Sequence, residues 1–206
     1  MIYLANPCSA AAVKEAMAAG QLGFIDTPAQ RNIRPAGLIW CADNGCFGEG
    51  YPGDAKWFEW LEKHAHEAGN CLFATAPDIV GDAAGTLARS APFLPRIRAL
   101  GYPAALVAQD GLEALQVPWD TFDVLFIGGS TEWKLGAAAR ALTAEAKARG
   151  KWVHMGRVNS GKRYRYAHSI GCDSVDGTYL TFGPNKNLPK LLAWKELEQQ
   201  GALFPA

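Results

Sequence analysis

The chain has 206 residues, of which 49% are hydrophobic and 19% are charged, and its 20 basic residues balance its 20 acidic ones. This length and composition fit one domain with a full hydrophobic core, and they exclude a large second domain and a disordered chain. Because the net charge is zero, a polyanionic partner would have to be held by a local basic patch.

The five cysteines are scattered through the chain and include no Cys-x-x-Cys pair. That pattern favours a reducing compartment and argues against a structural zinc site, so we expect neither a metal nor a cofactor. The N-terminus has no basic segment and only a short apolar run. No stretch approaches the roughly 20 apolar residues of a membrane span. We therefore expect a cytoplasmic protein without a membrane partner.

Eight short apolar runs recur along the chain and predict β-strands. They lie at residues 2–5, 22–26, 38–42, 71–76, 104–108, 124–127, 152–155 and 173–176. Helices are predicted from Ser9 to about Gly20, from Asp54 onward, from Asp82 to Leu100 with a break near Pro92 and Pro95, and at about residues 132–149 and 162–170. Residues 27–37 contain two prolines and no periodicity, which predicts a loop.

The alternation of strand and helix is typical of parallel βαβ units. We predict an α/β fold, a compact (β/α)8 TIM-like barrel that forms a single domain over residues 1–206. An open doubly wound sheet is the alternative fold. The chain has no Gly-x-Gly-x-x-Gly after its first strand and no Walker phosphate loop, which favours the barrel.

Polar residues follow most of the predicted strands. In a parallel barrel the carboxyl ends of the strands would carry Asp43, Asp78, Gln109, Gly129, Met155 and Asp176. That face carries the active site in such folds. Three carboxylates in one cleft repel each other, so stability alone does not explain them. For Asp176, which precedes a glycine, the alternative role is to cap a turn.

Paired carboxylates suit chemistry at a glycosidic carbon. One carboxylate attacks or stabilises the anomeric carbon, while the other transfers a proton to or from the leaving group. Phe47 and Met155 could present flat and soft faces to an aromatic ring. Gln109 and the amide of Gly129 could bind the polar edge of that ring. Core packing is the alternative role for Phe47 and for Met155.

Five short motifs follow one another in the middle and C-terminal parts of the chain. They are Asp-Asn-Gly-Cys-Phe at 43–47, Val-Ala-Gln-Asp-Gly at 107–111, Ile-Gly-Gly-Ser at 127–130, His-Met-Gly at 154–156 and Gly-Cys-Asp-Ser-Val-Asp at 171–176. In the same order, they resemble Asp-Ser-Gly-Gly-Phe, Val-Gln-Gly-Gly, a Gly-Gly turn, Leu-Met-Gly and Gly-x-Asp-x-x-Asp. Those are motifs of the queuine and archaeosine tRNA-guanine transglycosylases and of their phage and bacterial relatives that insert deazaguanines into DNA.

The resemblance implies an eight-stranded α/β barrel with Asp176 as the nucleophile and Asp43 as the general acid/base. It also implies that the substrate base is read by Asp78, Gln109 and the Gly129 amide, and that Phe47 and Met155 sandwich it. The remaining base-binding residues would be Gly128, Ser130 and Gly156, which lie in the matching motifs.

The chain departs from the family at several positions. Cys46 and Asp110 stand where the family has glycines, which changes the base pocket. No cysteine follows Cys172, so the zinc subdomain of the tRNA enzymes has no counterpart here. We therefore expect guanine or a 7-deazaguanine as the base and DNA rather than tRNA as the acceptor. A protein partner or a homodimer, and the host cytoplasm for a phage-encoded protein, fit the same interpretation.

A basic cluster between the last two predicted strands would hold the polymer. Its cations are Arg157, Lys162, Arg163 and Arg165, and they alternate with tyrosines that suit base stacking. The alternative is an ordinary solvated helix face. The function predicted from the sequence is exchange of guanine for a 7-substituted 7-deazaguanine. The alternatives are a base-excising hydrolase and a non-catalytic nucleobase or nucleic-acid binding module.

Overall fold

A computed structural model describes residues 1–30, 34–48 and 50–203, with side chains described up to residue 196. Its centre is a closed barrel of eight parallel strands in chain order. The strands are β1 (Ile2–Ala5), β2 (Gly23–Asp26), β3 (Trp40–Ala42), β4 (Cys71–Thr75), β5 (Ala104–Ala108), β6 (Val124–Ile127), β7 (Trp152–Met155) and β8 (Ser174–Gly177). Strand β8 closes the barrel on β1, with Asp176 in register with Leu4. The predicted barrel is confirmed, and the open sheet is wrong.

Helices surround the barrel on its outer side. They are α1 (Ala11–Ala18), α2 (Asp54–His64), α3 (Ala83–Ser90), α4 (Leu94–Ala99), α5 (Thr131–Lys134), α6 (Ala137–Ala148), α7 (Gly161–Ser169) and α8 (Pro184–Leu203). Within the described residues no helix is long and apolar enough to cross a membrane.

The helices differ from the sequence analysis at three points, one of which is a helix that it did not predict. The residue before α1 is Ala10 and no side chain caps that helix, so Ser9 is not its cap. The helix predicted at 132–149 is two helices, because the chain is extended at Gly136. The lysine-containing tail forms α8, which buries Leu188 and Leu191. By contrast, the expected break between α3 and α4 is present, and the Asp82 side chain accepts from the Gly85 N–H as a cap should.

Strand alternation divides the core into two layers. Leu4, Ile25, Cys41 and Phe73 belong to a cluster inside the barrel, whereas Trp40 packs in the larger cluster between strands and helices. Most side chains inside the barrel are thus apolar, with His154 an exception, and polar groups gather where the strands end.

Candidate active site

A cavity of about 360 Å³ opens at the carboxyl ends of the strands. Its volume is at the small end of the range for ligand sites in proteins. Of the residues predicted from the sequence, it is lined by Phe47, Asp43, Asp78, Gln109, Gly128, Gly129, Gly156, Arg157 and Asp176. Polar residues that the sequence did not single out also line it, namely Asn6, Thr27, Asn44, Thr75, Asn159 and Thr178. The cavity therefore brings together all three predicted carboxylates.

Asp43 follows β3 and is partly buried at the cavity wall. Its Oδ1 accepts a hydrogen bond of 2.7 Å from the Gly45 N–H. Burial raises the pKa of this carboxyl to about 7; the Gly45 bond opposes the rise, and the charges of Asp176 and Asp78 add to it. Asp43 can therefore both hold and release a proton near neutral pH.

Asp78, after β4, is buried and bonded on both oxygens. The amide Nε2 of Gln109 donates to its Oδ2 at 2.7 Å, and Nδ2 of Asn44 donates to its Oδ1 at 3.1 Å. Gln109 is oriented in turn, because its Oε1 accepts from the Gly81 N–H at 3.0 Å. Burial raises the pKa of Asp78, and the two amide bonds oppose that rise. The result is a polar edge in which Asp78 and Gln109 are both fixed by hydrogen bonds.

Asn44 is a site residue that the sequence analysis missed, although it lies inside a motif that was recognised. Its side chain also donates to the Ala76 carbonyl at 2.8 Å and accepts from the Cys46 N–H at 2.7 Å. Asn44 thus ties the β3 loop to the end of β4 and holds Asp78 in place.

Asp176 is the penultimate residue of β8, and its side chain is 14% exposed. Its Oδ1 lies 2.9 Å from Nε2 of His154, and its Oδ2 lies 3.5 Å from the backbone nitrogen of Arg157. Both contacts are with the β7 side of the barrel rather than with the turn after Gly177, so the turn-cap role does not describe this carboxylate. His154 is a second residue that the sequence analysis did not assign.

The loop after β6 needs glycine at the cavity. A Cβ on Gly129, whose φ is +47°, would lie 2.5 Å from the Trp133 ring and 2.6 Å from the Asp110 carboxylate. Ser130 does not line the cavity. It caps α5 by accepting from the Trp133 N–H at 3.2 Å, and its own N–H donates to Asp110 at 2.5 Å. Asp110 thus anchors this loop.

Met155 is fully buried in the core between the strands and the helices, and it does not line the cavity. The prediction that it sandwiches the base does not match this position. Successive strand residues point to opposite faces, and on β7 the inward position belongs to His154. Phe47, in contrast, is 64% exposed at the mouth of the cavity.

Arg157 forms part of the cavity wall. Its guanidinium donates to the carbonyl oxygens of Gly128 and Gly129 and lies 4.3 Å from the centre of the Phe47 ring. The other predicted polymer contacts lie on α7. Lys162 and Arg165 are exposed there, and Arg163 donates to the Arg157 carbonyl at 3.2 Å. The Arg157 guanidinium is thus bound within the protein rather than available for a phosphate.

Lys134 of α5 is a buried cation next to the site. Its Nζ donates to the Gly156 carbonyl at 2.7 Å, and burial lowers the pKa of its ammonium to about 7. It supports the loop after β7. As for metals, the described residues contain no group of three His, Cys, Asp or Glu side chains that could hold an ion. The expectation that the protein has no metal stays a prediction.

No protein-family model matches the chain, and no curated protein is similar to it in sequence. Among solved structures, the Bacillus subtilis YkuI protein, with an EAL domain and in complex with its substrate c-di-GMP and calcium, matches at a TM-score of 0.47 and 14% identity. The match covers 82% of this chain and 45% of YkuI, so this chain spans less than half of that protein.

A "putative lyase/mutase" from Burkholderia cenocepacia J2315 matches at a TM-score of 0.48 and 18% identity, over 98% of this chain and 82% of that one. Both neighbours carry enzymatic descriptions, but similarity at this level carries no information about what this chain acts on.

Proposed function

We propose that the protein is a pentosyltransferase that replaces guanine in nucleic acid, DNA in preference to tRNA, with a 7-substituted 7-deazaguanine. The observation that carries the proposal is that Asp43 and Asp176 line one cavity in different environments. Burial brings the pKa of Asp43 to about 7, which suits an acid/base, whereas Asp176 is oriented by contacts with His154 and the Arg157 backbone, which suits a nucleophile.

In the first displacement, an oxygen of Asp176 attacks C1′ of the guanosine and the bond from C1′ to the base breaks. Protonated Asp43 gives its proton to the departing guanine and becomes a carboxylate. In the second displacement, a 7-deazaguanine attacks C1′ through its ring nitrogen, whose proton passes to Asp43. The ester bond between C1′ and Asp176 breaks and its electron pair returns to the carboxylate. Two displacements retain the configuration at C1′.

The polar edge formed by Asp78 and Gln109 supports a purine with the hydrogen-bonding pattern of guanine. A carboxylate accepts hydrogen bonds, and guanine presents a ring N–H and an amino group side by side. One N–H of the Gln109 amide is bonded to Asp78, and its second N–H is the donor that remains for a base. At the cavity mouth, the Phe47 ring and the Arg157 guanidinium provide stacking surfaces for a planar base.

The test is an exchange assay with labelled guanine or 7-deazaguanine, with single-stranded DNA, duplex DNA and tRNA offered in parallel. We expect label to enter nucleic acid and a covalent adduct on Asp176 to be detectable by intact-protein mass spectrometry. Asp176→Asn should lower exchange by roughly a thousandfold or more and form no adduct, because the nucleophile is lost. Asp120→Asn makes the same change at an exposed position outside the cavity and should stay active.

Two results would contradict the proposal. Exchange that survives in Asp176→Asn would remove the nucleophile assignment. Release of free guanine without incorporation of the labelled base would identify a base-excising hydrolase instead.

A further inference from the structure

The imidazole of His154 lies inside the barrel and has no exposed surface. The rings of Phe126 and Phe73 lie on it at centroid distances of 4.5 and 4.9 Å. A polar group in such apolar surroundings is destabilising unless it is hydrogen-bonded. Both ring nitrogens have partners: Nδ1 lies 2.9 Å from the Ser174 hydroxyl and Nε2 lies 2.9 Å from Oδ1 of Asp176.

The contact between Ser174 and Trp152 indicates the direction of these hydrogen bonds. The indole N–H of Trp152 can only donate, and it donates to the Ser174 oxygen at 2.8 Å. The single hydroxyl proton of Ser174 is then available for Nδ1 of His154. An imidazole that accepts this proton on Nδ1 carries its own proton on Nε2, from which it donates to Asp176.

We propose that His154 is the positioning residue of the nucleophile. It donates a hydrogen bond to Asp176 and is itself held by Ser174 and Trp152, and we call this series of contacts the hydrogen-bond chain. This role rests on the function proposed above. The hydrogen-bond chain binds one carboxylate oxygen of Asp176, Oδ1, and thereby leaves Oδ2 as the attacking atom. The only other hydrogen bond to the carboxylate among the described residues is the long one from the Arg157 backbone to Oδ2, so the side-chain orientation depends on His154.

The hydrogen bond from His154 also affects the two displacements differently. A hydrogen bond from Nε2 is stronger to a carboxylate than to the carbonyl of a glycosyl ester, because the carboxylate is charged. His154 therefore stabilises Asp176 as the leaving group when the bond between C1′ and Oδ2 breaks. No proton passes through the imidazole in either step.

The test compares three variants in the exchange assay. His154→Leu fills the space without a donor, His154→Gln keeps an N–H donor, and Phe73→Leu disturbs the ring packing but keeps both hydrogen bonds. We expect His154→Leu to lower kcat roughly a hundredfold through misplacement of the nucleophile, with the KM for the free base changed less than about twofold. Its covalent adduct should persist longer than that of the wild-type protein.

His154→Gln should recover part of the activity, and Phe73→Leu should lower the melting temperature with kcat close to wild type.

A readout independent of turnover is the ¹⁵N spectrum of the histidine ring, which should show a proton on Nε2 and none on Nδ1 in the wild-type protein. Ser174→Ala keeps the imidazole but removes the donor to Nδ1, so it should lower kcat less than His154→Leu does. It also serves as the test if His154→Leu does not fold.

The outcomes separate this inference from the proposed function. If the wild-type protein exchanges the base, and a folded His154→Leu or Ser174→Ala variant has the same kcat and adduct lifetime, the role of His154 is overturned. The proposed function is not affected by that result. Equal losses in His154→Leu and Phe73→Leu, without recovery in His154→Gln, would reduce that role to packing. No exchange by wild-type protein on any acceptor would overturn the proposed function, and the positioning role with it.

Discussion

Asp43 is the cavity residue whose charge depends most on its surroundings. In an unfolded chain an aspartate titrates near pH 4, whereas burial raises the pKa of Asp43 in the folded protein to about 7. Between these values the folded state holds a proton that the unfolded state has lost. The contribution of Asp43 to stability is therefore fully present below about pH 4 and is lost as the pH rises towards 7.

Asp43→Asn removes this titration and should make the protein less sensitive to pH. We expect the free energy of unfolding of the variant, relative to wild type, to rise by on the order of 2 kcal/mol between pH 4.5 and pH 8. Urea unfolding at both pH values measures the effect, with Asp120→Asn as the control that should show no such change. In the exchange assay, the wild-type rate of base release should fall above pH 7. A variant with the same pH dependence as wild type would contradict the raised pKa.

Helix α7 is the element that we expect to contact a polymer substrate. Its first turn begins just after the loop that carries Arg157, and Lys162 and Arg165 are exposed on it. Because the Arg157 guanidinium is bound to Gly128 and Gly129, the helix rather than that arginine is expected to contact phosphates.

Reversing the two exposed charges with Lys162→Glu and Arg165→Glu should weaken binding of single-stranded DNA at least about tenfold at low salt, because each phosphate contact releases counterions. The KM for the free base should not change. Lys63→Glu is the matched control, since Lys63 lies exposed in the last turn of α2, at the opposite end of the barrel. Fluorescence anisotropy with labelled DNA measures the affinity of each variant. An equal loss of affinity in Lys162→Glu, Arg165→Glu and Lys63→Glu would point to a general charge effect instead.

At the scale of the whole molecule, zero net charge limits affinity for any polyanion. Two or three phosphate contacts, from Lys162, Arg165 and the partly buried Arg163, predict a slope of roughly −1.5 to −2.5 in a plot of log affinity against log salt concentration. A guanine substrate would also have to leave its stack to enter the cavity, which costs a few kcal/mol in a duplex and less in a single strand. We therefore expect exchange to be faster in single-stranded or locally opened DNA than in duplex DNA or tRNA.

Binding titrations at several salt concentrations and the parallel acceptor assay measure these two quantities. A much steeper slope would mean a larger polymer surface than α7 provides. Preferential incorporation into tRNA would reject DNA as the acceptor.

Local sequence patterns by themselves determined the eight strands and their order, because an apolar run, its length and the turn residues after it are properties of adjacent residues. They also brought Asp43, Asp78 and Asp176 to one face, since parallel strands share the end at which they stop. The tertiary structure alone decided which side of each strand faces the barrel interior. On β7 it turned Met155 outward and placed His154 against Asp176, because closure of the barrel sets the register and hence every side-chain direction. It also bound Arg157 inside the cavity wall, because the partners of that side chain come from another strand loop, distant in sequence.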